Sequence, residues 1–443
     1  MAAYSKLSLT ALFITSSIIW ISGNGILPLL PVYAGSLGAS NFEIGLYLAF
    51  SYACLAIGAV ITAKSIHSQH AAKQIMVISG ALAVPITFCV GQAHSLFELM
   101  AFTSLIWMLG GAGFSALNSL VSGFTAAQHR GKIMGALAIT SPLGSVIGGG
   151  ISGPIVDIWG FDALFLTLAL INLLWPVCAM FVKTSQPTVL DFDITSSSQK
   201  TTLLRWSKHA LHLNHLSWKK RLILATSFSY MAYYVALLAT SITMKDAGFS
   251  ATDISSTAIV GGLAAIPFIY SISHASDALG RKALWVFCNL VGAVALLLLS
   301  MAETLLTFWA VAFMIRCLSS GSRSIGSAWV ADLYDHTAQP NNLSTAQSDT
   351  ANPDIANPDI TKATSNQKRT GLLGTEEKAL ALISATPWLG GILGYLMYGS
   401  ASLVFSSSHV LMVAAVVPLL SIGLVFPIGF SPLASANPLT KAS

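Results

Sequence analysis

Charge is scarce in this chain: Asp, Glu, Lys and Arg make up 9% of its 443 residues, where a soluble domain carries about 25%. A folded surface in water needs those charges, so a soluble globular protein is excluded. With 54% hydrophobic residues and a mean hydropathy of +0.72, the chain must be solvated by lipid. Cysteine is equally sparse. Cys54, Cys89, Cys178, Cys288 and Cys317 lie singly inside apolar runs, without the paired spacing of a zinc site or a disulfide framework. A GxxxxGK[ST] loop is absent, which argues against a self-contained ATP-driven pump. No cofactor is expected.

What is present is a series of long apolar runs. A spanning helix needs about 20 mostly apolar residues, and such runs recur at 7–33, 43–63, 74–91, 96–122, 133–156, 163–183, 221–244, 253–273, 283–301, 304–330, 378–402 and 409–430. The first is too long for the cleaved apolar core of a secretory signal, so it reads as a membrane helix. These runs predict an all-α polytopic membrane protein with twelve transmembrane helices.

Basic residues fix the expected orientation. One set of loops holds Lys64, Lys73, Arg130, Lys132, Lys183, Lys219, Arg281, Lys282 and others; the opposite set holds Lys245 alone, beside Glu43, Glu98, Asp157, Asp162, Asp246, Asp253 and Glu303. The positive-inside rule then places the basic face and both termini in the cytoplasm, in a cell (inner) membrane.

The chain repeats itself. Gly38, Ser40, Glu43 and Ile44 correspond to Gly248, Ser250, Asp253 and Ile254 at an offset of 210; Lys132, Gly144 and Gly148 correspond to Lys378, Gly390 and Gly394 at 246. The change of offset comes from a polar insertion at 333–376 containing ANPDI-ANPDI, whose composition predicts disorder. The expected organisation is a six-helix bundle at 1–183, a linker at 184–220, a second bundle at 221–432 and a tail at 433–443. Within the linker, Leu203, Leu204, Trp206, Leu211, Leu213 and Trp218 would share one side of a helix opposite Arg205, Lys208, His209, His212 and His215. That pattern suits a basic amphipathic helix on an anionic leaflet. The three histidines lack a fourth ligand, and a solvated polar face accounts for them.

Two six-helix halves, a central linker and the segment SHASDALGRKALW (273–285) resemble the major facilitator superfamily. Asp277, Gly280, Arg281 and Lys282 match that family's basic loop motif; Ser273 and Ala278 depart from it, and the first-half loop keeps only Lys73. In the family this loop latches the halves together, which by analogy sets Asp277 against the start of helix 5 near Lys132 and Arg130. Gly131, Gly144, Gly148 and Gly149 resemble part of the family's antiporter motif, with Thr140 and Ser145 where Gly and Pro are expected. Close helix packing alone explains those glycines better than the motif does, and it accounts for Gly390 and Gly394 too. The resemblance implies a solute site near the midplane between the halves.

An ionisable residue within the membrane is costly and marks a functional candidate. Arg316 is such a residue, about 12 residues or roughly 18 Å below the start of its helix. At an offset of 209 it answers Trp107, which occupies the Arg position of the family's helix-4 pattern. Asn24, Asn118, Tyr230, Tyr233, Tyr234 and Trp388 are further candidates for a substrate site, each also explicable as an interhelical contact. No Asp or Glu lies deep in any span, which argues against a carboxylate proton relay unless helix 4 starts early enough to carry Glu98 inward. The expectation is a monomeric secondary transporter of a small organic solute, leaning towards efflux, with lipid as its surroundings, a proton or counter-ion as candidate coupling species, and no nucleic-acid partner. Organic-anion uptake or exchange, and a transporter-like sensor without flux, are the alternatives. A membrane enzyme would need clustered polar residues at one depth, and none is evident.

Overall fold

The computed structural model describes residues 6–124, 127–184, 217–338 and 385–428, and every regular element among them is an α-helix. In chain order these are α1 (Lys6–Asn24), α2 (Leu30–Ser36), α3 (Asn41–Ser65), α4 (Gln69–Gly91), α5 (Leu96–Phe124), α6 (Ala127–Ala138), α7 (Thr140–Asn172), α8 (Leu174–Met180), α9 (Trp218–Asp246), α10 (Ala251–Leu279), α11 (Arg281–Leu299), α12 (Leu305–Ala338), α13 (385–401), α14 (Ser407–Ala414) and α15 (Val416–Val425).

Among the described residues ten apolar stretches are long enough to cross a bilayer, but one, Ile133–Met180, runs for 48 residues. Gly160 interrupts it with φ +83° and ψ −178°, a conformation that a side chain would strain. That stretch is therefore two crossings. With α13 the total is twelve, as the apolar runs predict.

Proline breaks four of the crossings; one break is at Ile139, where α6 gives way to α7 and Pro142 has no N–H to give the carbonyl of Ala138. Pro28 and Pro31 have no N–H to give the carbonyls of Asn24 and Leu27, and the first span, expected as one helix over 7–33, is divided into α1 and α2 by a turn at 25–29. Pro176 and Pro418 act likewise four residues after Asn172 and Ala414, where α7 gives way to α8 and α14 to α15. Two boundaries also shift. α12 continues to Ala338, past the expected start of the insertion at 333, and α9 begins at Trp218, inside the expected linker. The amphipathic helix and its histidines, and the ANPDI tandem, lie outside the described residues.

Large apolar side chains such as Ile61, Leu170, Phe287, Val294 and Leu420 are exposed on the outer surface of the bundles, which a bilayer tolerates and water does not. Many buried polar groups, by contrast, are paired, although Thr15, Trp175, Thr243, Ser322, Trp329 and Tyr395 each bury a polar atom without a partner among the described residues. Asn172 accepts from Ser22 Oγ at 2.9 Å and donates to Thr87 Oγ1 at 2.9 Å. In the second half Asn289 accepts from Ser229 Oγ at 2.8 Å, and Trp285 Nε1 donates to Ser421 Oγ at 3.1 Å. Each half thus joins its first, third and sixth spans through an asparagine-centred network.

The repeat holds in atomic detail. Gly38 and Gly248 both adopt a left-handed φ, +84° and +83°. Each is followed by a capping box in which a serine and the acid three residues later satisfy each other's backbone N–H, Ser40 with Glu43 and Ser250 with Asp253. Helices α3 and α10 therefore start identically, on the face that bears the acids.

Candidate functional site

The two halves meet through small residues. A methyl group on Gly153 of α7 would stand 2.5 Å from Thr252 Cα and 2.8 Å from Ala251 O in the first turn of α10. The residue that the repeat offset of 246 predicts as its counterpart is Gly399 of α13, whose added methyl would stand 3.1 Å from Phe42 O and 3.2 Å from Gly45 Cα in the first turn of α3. The same offset of 210 relates Phe42 to Thr252. Two pseudo-equivalent seams thus close the acid-bearing face, each needing a glycine for backbone to approach backbone.

One seam carries an additional tie. Asp157, one turn beyond Gly153, accepts from Ala251 N at 2.8 Å, Thr252 N at 2.8 Å and Thr252 Oγ1 at 2.6 Å. A carboxylate there satisfies orphan N–H groups at the positive end of the α10 dipole. At the same face Lys245 Nζ of α9 reaches Val32 O of α2 at 3.5 Å.

The expected packing glycines divide by role. Gly144 and Gly148 press α7 onto α1, with an added methyl 2.6 Å from Trp20 C and 2.7 Å from Gly25 Cα; Gly390 and Gly394 press α13 onto α9 at Met231. Gly149 faces the other half, 2.9 Å from Ser255 O by the same construction. They are backbone-contact residues in this structure.

Between the halves lies a cavity, partly open to solvent, lined by α1, the 25–29 turn, α9, α10 and α12. Three expected site residues meet in it: Asn24, Tyr233 and Arg316. Arg316 is eleven residues into α12, about 17 Å from its start. Its guanidinium lies over the Tyr233 ring, 5.6 Å from the centroid, within cation–π range. Opposite it Gly261 leaves room: an added methyl would come within 3.4 Å of Arg316 Nε. Among the described residues Arg316 makes no ion pair. Asn24 donates to Ser141 Oγ at 3.1 Å, which ties the end of α1 to α7. Leu27, Pro28, Ala236, Leu237 and Val311 give the cavity apolar walls, with Thr240 and Thr257 as its hydroxyls.

The remaining candidates sit elsewhere. Tyr230 is buried beside the cavity, where Arg323 Nε donates to its hydroxyl at 3.3 Å and that hydroxyl donates to Ser319 O. Tyr234 joins an aromatic cluster with Tyr233, Tyr52 and Tyr395, and Tyr52 in turn packs on Trp107 with ring centroids 4.6 Å apart. Asn118 and Trp388 are half-buried and line neither this cavity nor a smaller one in the first half at Ser22, Thr87 and Trp107. Glu98 is not carried inward. It lies in the first turn of α5 and accepts from His94 N at 2.8 Å as a surface cap.

At the basic face, Gly280 separates α10 from α11 with φ +86°. Arg281 donates to Asp332 at 3.0 Å and to Ser276 Oγ at 2.6 Å. Lys282 donates to Phe426 O at 2.6 Å. These bonds run within the second half. The side chains of Asp277, Arg130 and Lys132 lie outside the described residues.

The family model of the Major Facilitator Superfamily matches residues 12–219 and 222–348. The chain belongs to this superfamily. Its fold resembles two solved structures of a bacterial homologue of the human lysosomal transporter Spinster, both inward-facing. For the occupied form the TM-score is 0.63 at 11% identity, over 96% of this superfamily chain and 97% of the other; for the unoccupied form it is 0.63 at 12%, over 95% of each. A curated relative is the multidrug resistance protein MdtG of Proteus mirabilis (strain HI4320), 26% identical over 218 residues. That alignment covers 48% of this superfamily member and 50% of MdtG, so the chain spans about half the length of the curated relative it matches.

Sequence reasoning missed Thr240, Thr257, Gly261, Gly153, Gly399 and the capping role of Asp157. For Gly153 and Gly399 a signal existed: extending the 246-residue offset a few positions past Gly148 pairs them.

Proposed function

We propose that the protein is a secondary transporter, not an enzyme, moving a small organic solute by alternating access in the direction of efflux. The supporting observation is Arg316: a cation without an ion-pair partner among the described residues, at mid-depth, in a cavity shared by the two halves. An arginine so placed is costly unless something uses it. In this reading the halves 1–183 and 221–432 rock about the cavity, and the basic face and both termini lie in the cytoplasm. The sealed acid-bearing face is then the outside, and Arg323, two turns further along the same side of α12 and exposed, lies on the cytoplasmic approach. The efflux direction draws support from the likeness to a protein named for multidrug resistance.

The test is solute flux in proteoliposomes over a solute panel, with and without an imposed proton gradient. Wild type is expected to move at least one solute, and Arg316→Ala to move it about tenfold more slowly, the equivalent of about 1.4 kcal/mol. Absence of flux for every solute defeats the reading.

Asp157 serves as the outer tie in this scheme. Its carboxylate is exposed, so its loss is worth about 1 kcal/mol after solvent screening. Asp157→Ala is therefore expected to raise the outward-open population about fivefold. Labelling of a Thr240→Cys reporter by an impermeant thiol reagent from outside reads this directly; an unchanged labelling rate would remove Asp157 from the gate.

A further inference from the structure

The proposed transport function leaves the chemical class of the solute open, and the charges around the cavity narrow it. Resting on that transport reading, we infer that the cavity takes an organic anion with an apolar or aromatic body, and that the membrane potential drives its export.

Three observations carry the inference. First, every polar group lining the cavity is neutral or positive. Asn24, Tyr233, Thr240 and Thr257 are uncharged, and Arg316 is the cation. Second, the acids that could compensate Arg316 are spent elsewhere: Asp157, Asp253 and Glu98 cap helix ends at the acid-bearing face, and Asp332 pairs with Arg281 at the basic face. A cationic solute entering here would meet an arginine that no carboxylate among the described residues offsets; an anion would supply the missing counter-charge. Third, Arg323 continues the positive track. Seven residues on, it stands about 10 Å from Arg316 along one side of α12, exposed and anchored to Tyr230. Two arginines in line draw an anion from the basic face to the cavity. The apolar walls and the Tyr233 ring suit the solute's body, and the planar guanidinium suits a carboxylate or sulfonate.

An anion also accounts for the missing proton relay. Export of one negative charge is downhill across an inside-negative membrane, and 100 mV supports a gradient of about fiftyfold with no coupled proton. With the anion bound, the pair with Arg316 is neutral. The voltage then acts on the return of the empty, positively charged site towards the cytoplasm.

The experiment uses the full chain and three probes of one shape: naphthalene-2-sulfonate, naphthalene-2-carboxamide and 2-naphthylmethylammonium. Calorimetry on purified protein is expected to show the sulfonate binding at least tenfold more tightly than either other probe. Arg316→Gln should remove that preference, Arg316→Lys should keep part of it, and Tyr233→Leu should weaken sulfonate binding about two- to fivefold. In proteoliposomes, a potassium diffusion potential, negative on the side of the basic face, should accelerate sulfonate exit from that side, and a proton gradient alone should not. Tighter binding of the ammonium probe, sulfonate affinity unaltered by Arg316→Gln, or absence of sulfonate binding overturns the anion assignment. Flux of neutral or cationic solutes alongside any of those results leaves the transport reading standing, so the two failures are distinguishable.

Discussion

Gly153→Leu is expected to abolish transport, because the first turn of α10 cannot then close on α7. The added carbon begins 2.5 Å from Thr252 Cα and 2.8 Å from Ala251 O, and these are backbone atoms, which cannot rotate aside. The leucine can be housed only by parting the helices, so the protein is held open on the acid-bearing face. Solute binding at Arg316 should survive, since the cavity lies deeper, but exchange between faces should fall by about a hundredfold or more, equivalent to roughly 3 kcal/mol on closure. Spin-label distances between α7 and α10 at that face should lengthen. Gly150→Leu is the control: its nearest neighbour is Ile259 Cδ1 at 4.0 Å, an ordinary contact, and it should leave transport near wild type. Normal turnover in Gly153→Leu would mean that this seam never tightens during the cycle.

Gly111→Val is expected to destabilise the first bundle more than any single change at its polar contacts. Gly111 of α5 and Gly58 of α3 face each other's helices so closely that an added methyl on Gly111 would overlap the Leu55 carbonyl, and one on Gly58 the Met108 carbonyl. Packing across a membrane bundle comes from such close approach, since lipid offers no hydrophobic gain on helix association. Forcing α3 and α5 apart also separates the bonds between Tyr47 and Thr103 and between Ser51 and Ser104. The cost should be about 3 kcal/mol or more, read as a fall in thermal midpoint in detergent. Gly110→Val, with nothing within 4 Å of an added methyl, should shift it little. Equal midpoints for the two variants would show that α3 and α5 are not in direct backbone contact.

The architecture was legible because a bilayer imposes length and apolarity on every crossing. The repeat was legible because Gly38, Ser40 and Glu43 do a local job that Gly248, Ser250 and Asp253 must do again, and local chemistry leaves a local pattern. The division of the first span was not read, although Pro28 and Pro31 mark it, since prolines are common in membrane helices and many bend them without ending them. The site was legible only where charge made it so. Arg316 stood out on cost, and Asn24 and Tyr233 meet it in the cavity. Asn118 and Trp388 line neither cavity, because the faces of a membrane helix are apolar towards both lipid and protein. Composition does not say which one points inward. Glu98 shows the converse, a carboxylate whose role as an N-terminal cap follows from Ser95 three residues before it.

The two seams of the acid-bearing face are alike in shape and unlike in strength. Gly399 meets α3 by fit alone, whereas Gly153 meets α10 beside a carboxylate that holds three donors. The other tie at this face, Lys245 Nζ to Val32 O, joins α9 to α2 and lies at neither seam. Outward opening should therefore begin where α3 leaves α13, pivot on the α7–α10 edge, and release that edge last, giving the molecule a lopsided stroke despite its twofold ancestry.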